Sequence, residues 1–294
     1  MKNIKLLYLF VVATLAACGE YYGYDADTAK TPYQPMENVR LVKSLKTTNM
    51  LNGKEYSWVH EFEYDTKNRI KCINSDMVHY REVSSAGMDR LYLCNISSNA
   101  TYYYMGEDID VKYFVSWTYP EKPEWNSDMN GTDKGNFDSS GRLERFTALD
   151  FEYSAAVLTK AYADGDSYYE ITRNGNNVTG YKIRDTYSGE VKLDMGDKCK
   201  VSSFKNNTNF DFTGYFGYWG AETELLANAT PYYAAYQLAA FGMLGTVSPN
   251  LPLGAPVVGN DGVPMYGKWT LDADGYPLVF VDATGRRTEV KYVE

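Results

Sequence analysis

The side chains able to do chemistry are few and scattered. There are two histidines. His60 falls on an aromatic strand face, and His79 stands beside Tyr80 near an expected turn. Neither has zinc-finger or metalloprotease spacing, because His60-Glu61-Phe62-Glu63-Tyr64 lacks a second histidine. Cys72 and Cys94 are the nearest soft ligands. An oxidising compartment would allow them to join as a disulfide and leave Cys199 as a thiol. Asp164-Gly165-Asp166 and Asp272-Ala273-Asp274-Gly275 alternate carboxylates with glycine, but lack the third acidic position and closing Glu of a calcium loop. Both fit plain turns. No nucleophile elbow, phosphate loop or dinucleotide fingerprint occurs, so neither metal nor cofactor is expected. A carboxylate pair for glycoside hydrolysis needs geometry to be selected from 38 acids.

The segment with most binding character is Gly214-Tyr215-Phe216-Gly217-Tyr218-Trp219-Gly220. Glycine lets a backbone approach closely, and exposed rings stack on sugars or apolar ligands. Tyr215, Tyr218 and Trp219 are the expected ligand contacts. The alternative is a strand end whose rings fill the core.

The N-terminus gives an address. Lys2 and Lys5 precede an apolar run from Leu6 to Leu15, half the length a membrane-spanning helix needs. Leu15-Ala16-Ala17-Cys18 follows. Small residues before a cysteine resemble a bacterial lipobox, which implies acylation of Cys18 and a stable lipid anchor. Residues 1–17 are then a signal peptide and 18–36 a tether, broken by Pro32 and Pro35. Gly19 follows the cysteine where inner-membrane retention would place Asp, so lipoprotein sorting favours the outer membrane, with its periplasmic or surface side open. Asp27-Thr28-Ala29 resembles a Bacteroidetes O-glycosylation motif, making Thr28 a candidate site; a polar linker is the bland alternative.

These features sit on a chain of 294 residues that is 44% hydrophobic and 23% charged, long enough for a sizeable core. Its net charge is −9, and loss of Lys2 and Lys5 leaves 27 basic against 38 acidic groups. Such a surface disfavours nucleic acid as a partner. Four cysteines are too few for a disulfide scaffold.

Beyond Glu37 the period is two. Tyr56, Trp58, His60, Phe62 and Tyr64 share one face, opposite Ser57, Val59, Glu61 and Glu63. Val111, Tyr113, Val115, Trp117 and Tyr119 repeat the pattern, and Thr208 to Tyr218 reads as a third case. Inward strand faces therefore account for most of the 28 tyrosines. Between strands a turn recurs: Asp65-Thr66-Lys67-Asn68, Asp138-Ser139-Ser140-Gly141 and Asp272-Ala273-Asp274-Gly275, with Asn174-Gly175 and Asp282-Ala283-Thr284-Gly285 marking further hairpins. Asp bonds backbone amides two residues on, and Gly or Asn accepts positive φ. About a dozen antiparallel strands are expected.

One segment breaks the alternation. Thr230-Pro231 starts and Gly245 stops an uncharged run that predicts one buried helix near residues 231–244. Tyr236, Leu238, Phe241 and Met243 would plug the concave side of the sheet. Residues 245–264, with four Pro and four Gly, read as a covering loop.

Together the lipobox, the tether, the Asp turns and the run Leu244-Gly245-Thr246-Val247-Ser248-Pro249-Asn250-Leu251-Pro252 resemble a Bacteroidetes lipoprotein family of unknown function with a porin-like fold. The hairpin turns are also similar to tyrosine–aspartate repeats. The resemblance spans residues 37–294, is strongest after residue 135, and brings no catalytic residues. The expected fold is all-β: a single barrel-like domain over residues 37–294, with a strongly curved or closed antiparallel sheet. The expected function is a non-catalytic binding lipoprotein of the cell envelope, anchored in the outer membrane, with a glycan or protein as ligand. The alternatives are a carrier or sensor of an apolar small molecule held inside the barrel, and a carbohydrate-active hydrolase.

Overall fold

The structure is a computed structural model. It describes residues 24–294 except 52, 86–87, 148, 163–165, 195, 197–198, 216–237, 246, 255–256 and 259–262. The strands among the described residues are β1 Val42–Leu51, β2 Lys54–Tyr64, β3 Ile70–Ser85, β4 Met88–Met105, β5 Asp108–Thr118, β6 Ser127–Phe137, β7 Leu143–Phe146, β8 Leu149–Ser154, β9 Val157–Tyr162, β10 Ser167–Asn174, β11 Asn177–Asp185, β12 Val191–Asp194, β13 Lys200–Lys205, β14 Asn250–Gly254, β15 Val257–Val258, β16 Pro264–Met265, β17 Lys268–Leu271, β18 Pro277–Val281 and β19 Arg287–Tyr292. A single helical turn, α1, covers Phe212–Tyr215. No described helix is long and apolar enough to cross a membrane, which leaves membrane crossing by strands untouched.

Fifteen strands form one antiparallel sheet, in the order β12 back through β1, then β19, β18 and β17. The expected dozen was an undercount, because β7, β8, β9 and β12 have only four to six residues each, too few to display alternation. The first strand pairs with the last: Leu45 faces Val290 and Thr47 faces Thr288, whose hydroxyls lie 2.8 Å apart. Among the described residues no ladder joins the end strands β12 and β17. The separate β13–β14 ladder touches strands near both ends. On one side the Cys199 amide donates to Thr179 O at 3.0 Å and the Asn250 amide to Asn177 Oδ1 at 3.0 Å. On the other the Gly267 amide donates to Leu253 O at 2.8 Å and Trp269 Nε1 to Pro252 O at 2.6 Å.

The alternation read for β2 sorts its side chains as expected. His60 and Phe62 are buried, while Glu61 and Glu63 are exposed. One core cluster takes Leu45, Phe62, Ile73, Tyr102, Tyr104, Val111, Phe146, Trp269, Phe280 and Val290 from nine strands of the sheet. Phe210, Leu238, Phe241 and Met243 pack into the same cluster from the sheet's inner face. Each such side chain is worth roughly 1.5–3 kcal/mol when buried.

Three local expectations are corrected. Residues 208–215 are not a strand. Asn206 Oδ1 accepts the Thr208 amide, Thr208 Oγ1 accepts the Phe210 amide, and Asp211 Oδ1 accepts the Thr213 amide. Side chains thus take the backbone bonds that a ladder would use. The helix near residues 231–244 ends before Gly242, not at Gly245. Residues 238–240 are helical. Gly242 has φ +74°, the Gly242 amide donates to Ala239 O, and the Met243 amide to Leu238 O. That pair of bonds is a Schellman cap. Leu238, Phe241 and Met243 are buried there, whereas Tyr236 and the rest of residues 231–237 lie outside the described residues. The stretch 245–264 is not a plain loop, since it contains β14, β15 and β16.

Cys72 and Cys94 are not joined. Cys94 pairs with His79 across the β3–β4 ladder, seven positions from Cys72, or roughly 23 Å along the strands. Alternation also sends the two to opposite faces.

The Asp turns share more than spacing. In the 65–69, 138–142, 272–276 and 282–286 turns the Asp amide donates to the carbonyl four residues on. The same Asp Oδ1 accepts amides two and four residues on. Three turns end in arginine, whose Nε returns to Asp Oδ2: Arg69 at 2.6 Å, Arg142 at 2.8 Å and Arg286 at 2.9 Å. Arg40 supplies the guanidinium for Asp272, at 3.0 Å.

Three of these turns follow the ends of β2, β6 and β17 and lie at one end of the sheet, its base. The chain before β1 runs across this base. Arg69 donates to Ala26 O and Ala29 O, the Thr66 amide to Asp27 Oδ1, and the Gly106 amide to Lys30 O. A Cβ on Gly141 would meet Pro32 O at 2.4 Å, so glycine also admits that crossing. Tyr33 is buried between Tyr104 and Phe137, with its hydroxyl donating to Phe241 O at 2.8 Å. Packing therefore begins ahead of the expected boundary at Glu37.

Arg69 and Asp65 are both almost fully buried, whereas Arg286 is about a third exposed. Arg69→Leu strands a buried carboxylate and is expected to cost about 3–5 kcal/mol. Arg286→Leu in the same motif is expected to cost about 1 kcal/mol or less. Urea denaturation of the two variants checks this, and equal losses would contradict the burial argument.

Candidate functional site

Among the described residues, the inner face of β2 is not filled along its whole length. Register places Thr47, Trp58 and Met77 side by side on β1, β2 and β3, with Leu45, His60 and Ser75 in the next row down. Tyr56 is one row higher, beside Asn49, whose Nδ2 donates to the Tyr56 hydroxyl at 2.7 Å. The lower rows meet Phe210 and Phe241: Phe62 lies 5.4 and 5.3 Å from their ring centroids. At the upper rows that packing stops, and Tyr56 and Trp58 stay half-buried.

Two further elements complete the walls. Asp211 holds α1, accepting the Tyr215 amide at its carbonyl at 3.0 Å, and its Oδ2 accepts the Ser248 amide at 2.9 Å. This swings Tyr215 edge-on to His60, with centroids 5.6 Å apart. The β18–β19 turn brings Arg286 next to the Thr47–Thr288 pair. The result is a hollow of about 360 Å³ lined by Thr47, Tyr56, Trp58, His60, Met77, His79, Tyr215 and Arg286. Tyr56 and Trp58 stack at 5.8 Å, and His79 meets Tyr56 edge-on at 6.4 Å. Among the described residues no carboxylate lines the hollow.

Burial sets the protonation states. It lowers the His60 pKa to about 4 and also lowers that of His79, so both rings are neutral at pH 7. Burial raises the Tyr215 hydroxyl to about 12, against the lowering influence of nearby Thr47, Trp58 and the Arg286 charge. His60 Nδ1 and Ser75 Oγ are 2.7 Å apart. A serine beside a histidine invites comparison with a nucleophile and its base, but Ser75 is buried and lies outside the hollow's lining. Their bond therefore orients the imidazole and does not present a nucleophile. Among the described residues no group of three or more His, Cys, Asp or Glu is placed to hold a metal. Asp272 Oδ1 is committed to the amides of its own turn, and burial pushes the Cys199 thiol up to about 12.

A second hollow, of about 510 Å³, opens at the base and includes Tyr33, Arg142 and Phe241 in its walls. It too has no carboxylate lining.

Of the expected ligand contacts, Tyr215 lines the first hollow, while Tyr218 and Trp219 lie outside the described residues, as does Cys18. Thr28 is exposed in a turn, its hydroxyl donating to Asp25 O at 3.3 Å. His79 is within β3 and not near a turn. Sequence reasoning placed Tyr56, Trp58 and His60 on the correct face but read that face as core. Alternation tells which side a residue faces and not where along the strand the packing ends. Arg286 was overlooked, although an arginine after Gly or Asn in three Asp turns was a visible signal.

His60 gives a pH test. Its folded pKa lies below the ordinary value of 6.5, so the unfolded chain takes the proton first. Its contribution is complete above about pH 6.5 and is lost as pH falls toward 4, by up to about 3 kcal/mol. Asp133, raised by burial to about 6, acts oppositely: its contribution is present below 3.8 and lost as pH rises through 6. The His60→Gln variant isolates the first effect. Between pH 6.5 and 4.5 the parent protein should lose more stability than the variant in urea titrations; parallel pH curves would contradict the buried neutral imidazole.

No protein-family model matches the chain, and no curated protein matches it. A solved porin-like protein from Bacteroides uniformis ATCC 8492 is similar in structure, with 11% identity over 89% of this chain and 100% of that chain, at a TM-score of 0.43. The likeness is distant and does not extend to a lipoprotein family.

Proposed function

We propose that this chain is a non-catalytic binding protein of the cell envelope whose Tyr56–Trp58 hollow takes a saccharide. One observation carries the reading: a stacked aromatic pair walls a hollow of about 360 Å³ that also presents Thr47, His60 and Arg286. Ring faces receive the C–H faces of a sugar, and a few fixed polar groups set its orientation. The hollow exceeds the roughly 300 Å³ at which small-molecule sites begin, but the polar groups of Thr47, His60, His79 and Arg286 set in its largely apolar lining suit a saccharide better than a wholly apolar cargo. Neither described hollow offers the carboxylate pair that glycoside hydrolysis requires.

The scaffold in this reading is barrel-like, with β13–β14 bridging the span between β11 and β17 through the bonds given above. The Cys18 lipobox anchors it in the outer membrane. Six residue steps separate Cys18 from Tyr24, a reach of about 20 Å. The base, where the N-terminal chain is packed, then faces the lipid. The hollow lies near the other end of β2, roughly 20 Å from Tyr64 along the strand, and faces away.

Calorimetric titration with a panel of neutral and acidic disaccharides tests the binding. Trp58→Ala should weaken the affinity for the best panel member at least about tenfold while the variant still melts cooperatively. An unchanged affinity, or no binding by any member, would refute the reading. Cys18→Ser should move the protein from the membrane pellet to the soluble fraction; retention in the pellet without lipid labelling would refute the anchor.

A further inference from the structure

The four Asp turns serve as internal controls for Arg286. Each guanidinium bonds its turn's Asp, and in three turns it also has a backbone carbonyl, a tyrosine face or both as further partners. Arg69 donates its terminal nitrogens to Ala29 O and Ala26 O and lies 4.7 Å over the Tyr104 ring. Arg142 donates to Ala155 O and lies 4.4 Å over Tyr153. Arg40 lies over both Tyr276 and Tyr292, at 5.1 and 4.5 Å. Arg286 is different. Its Nε is held by Asp282 and its backbone amide by the same carboxylate, but among the described residues its terminal nitrogens have no acceptor and its face no ring. Arg286 is also the member of the set whose turn lies at the hollow's end of the sheet, and it lines the hollow.

From this we infer that the occupant of the Tyr56–Trp58 hollow is an acidic saccharide, a hexuronate, whose carboxylate takes the terminal N–H groups of Arg286 while its ring lies against Tyr56 and Trp58. The inference rests on the saccharide reading and adds the charge. A guanidinium is a planar fork matched to two carboxylate oxygens. Already fixed by Asp282, this fork loses little freedom on binding. Asp282 does not compete for it further. Its Oδ1 accepts the Thr284 and Arg286 amides and the Thr284 hydroxyl, and its Oδ2 accepts Arg286 Nε. No other carboxylate lines the hollow to repel an anion. Thr47 and the His60 and His79 rings are neutral partners for ring hydroxyls.

The test compares galacturonate and glucuronate disaccharides with their neutral hexose counterparts, by calorimetry on the full mature chain and on Arg286→Gln and Arg286→Lys. The expected result is an affinity at least about tenfold higher for an acidic disaccharide than for its neutral counterpart. That preference should vanish in Arg286→Gln and be reduced in Arg286→Lys. Equal affinities in the parent protein need no variant to interpret. They would overturn the charge assignment and leave the saccharide site standing, as would a preference that survives Arg286→Gln. Binding of neither class would overturn both.

Discussion

The carboxylate–guanidinium turn is the constraint from which the rest of the molecule follows. A long antiparallel meander must reverse direction many times, and each reversal leaves backbone amides that need acceptors. The Asp at the head of these turns supplies one oxygen to two amides and gives its second oxygen to a guanidinium. Each turn is thereby closed on itself, so the register of the strands it joins is fixed locally. The buried Asp65–Arg69 pair goes further, because a charge pair removed from water must have every remaining donor satisfied. Arg69 meets that demand by drawing in Ala26 O and Ala29 O. The charge pair thus recruits the N-terminal chain as part of the base.

That recruitment organises the core above it. With the chain held across the turns, Tyr33 enters between Tyr104 and Phe137 and reaches the Phe241 carbonyl. Phe241 in turn contacts Phe62, Tyr64 and Phe210. Packing is dense where these rings converge and thins upward along β2, where, among the described residues, α1 contributes Tyr215 and no larger insert fills the face. The hollow is the part of the inner face that the core rings do not reach. Its aromatic walls are continuous with the core, since Phe62, His60, Trp58 and Tyr56 are alternate residues of one strand.

Much of this was legible in the sequence. Period-two alternation identified β2 and β5 and the side each residue faces, and the Asp turns fell where hairpins close. The strand reading fails over residues 208–215 because Asn, Thr and Asp side chains there bond the backbone locally, a competition that hydrophobic alternation does not register. The helix stop was placed three residues late because two glycines compete for it, and only the bonds from Gly242 and Met243 decide between them. The hollow depends on where three non-local elements stop filling a face, and no spacing in the chain encodes that. Arg286 is the intermediate case: its role as a turn closer is written in the Asp-to-Arg spacing, while its terminal nitrogens, without an acceptor among the described residues, depend on which end of the sheet its turn occupies.

That last distinction explains how one motif serves two ends. At the base the guanidiniums have further partners: Arg69 takes carbonyls of the chain before β1 and the Tyr104 ring, Arg142 takes Ala155 O and the Tyr153 ring, and Arg40 lies over Tyr276 and Tyr292. The 282–286 turn lies at the other end, beyond that chain's reach, because β18 and β19 reverse where β1 ends and β2 begins. The same local chemistry holds Arg286 in place without consuming it. Structural demand at the base and ligand recognition at the hollow therefore need no different sequence grammar. Antiparallel topology assigns the roles by sending successive turns to opposite ends.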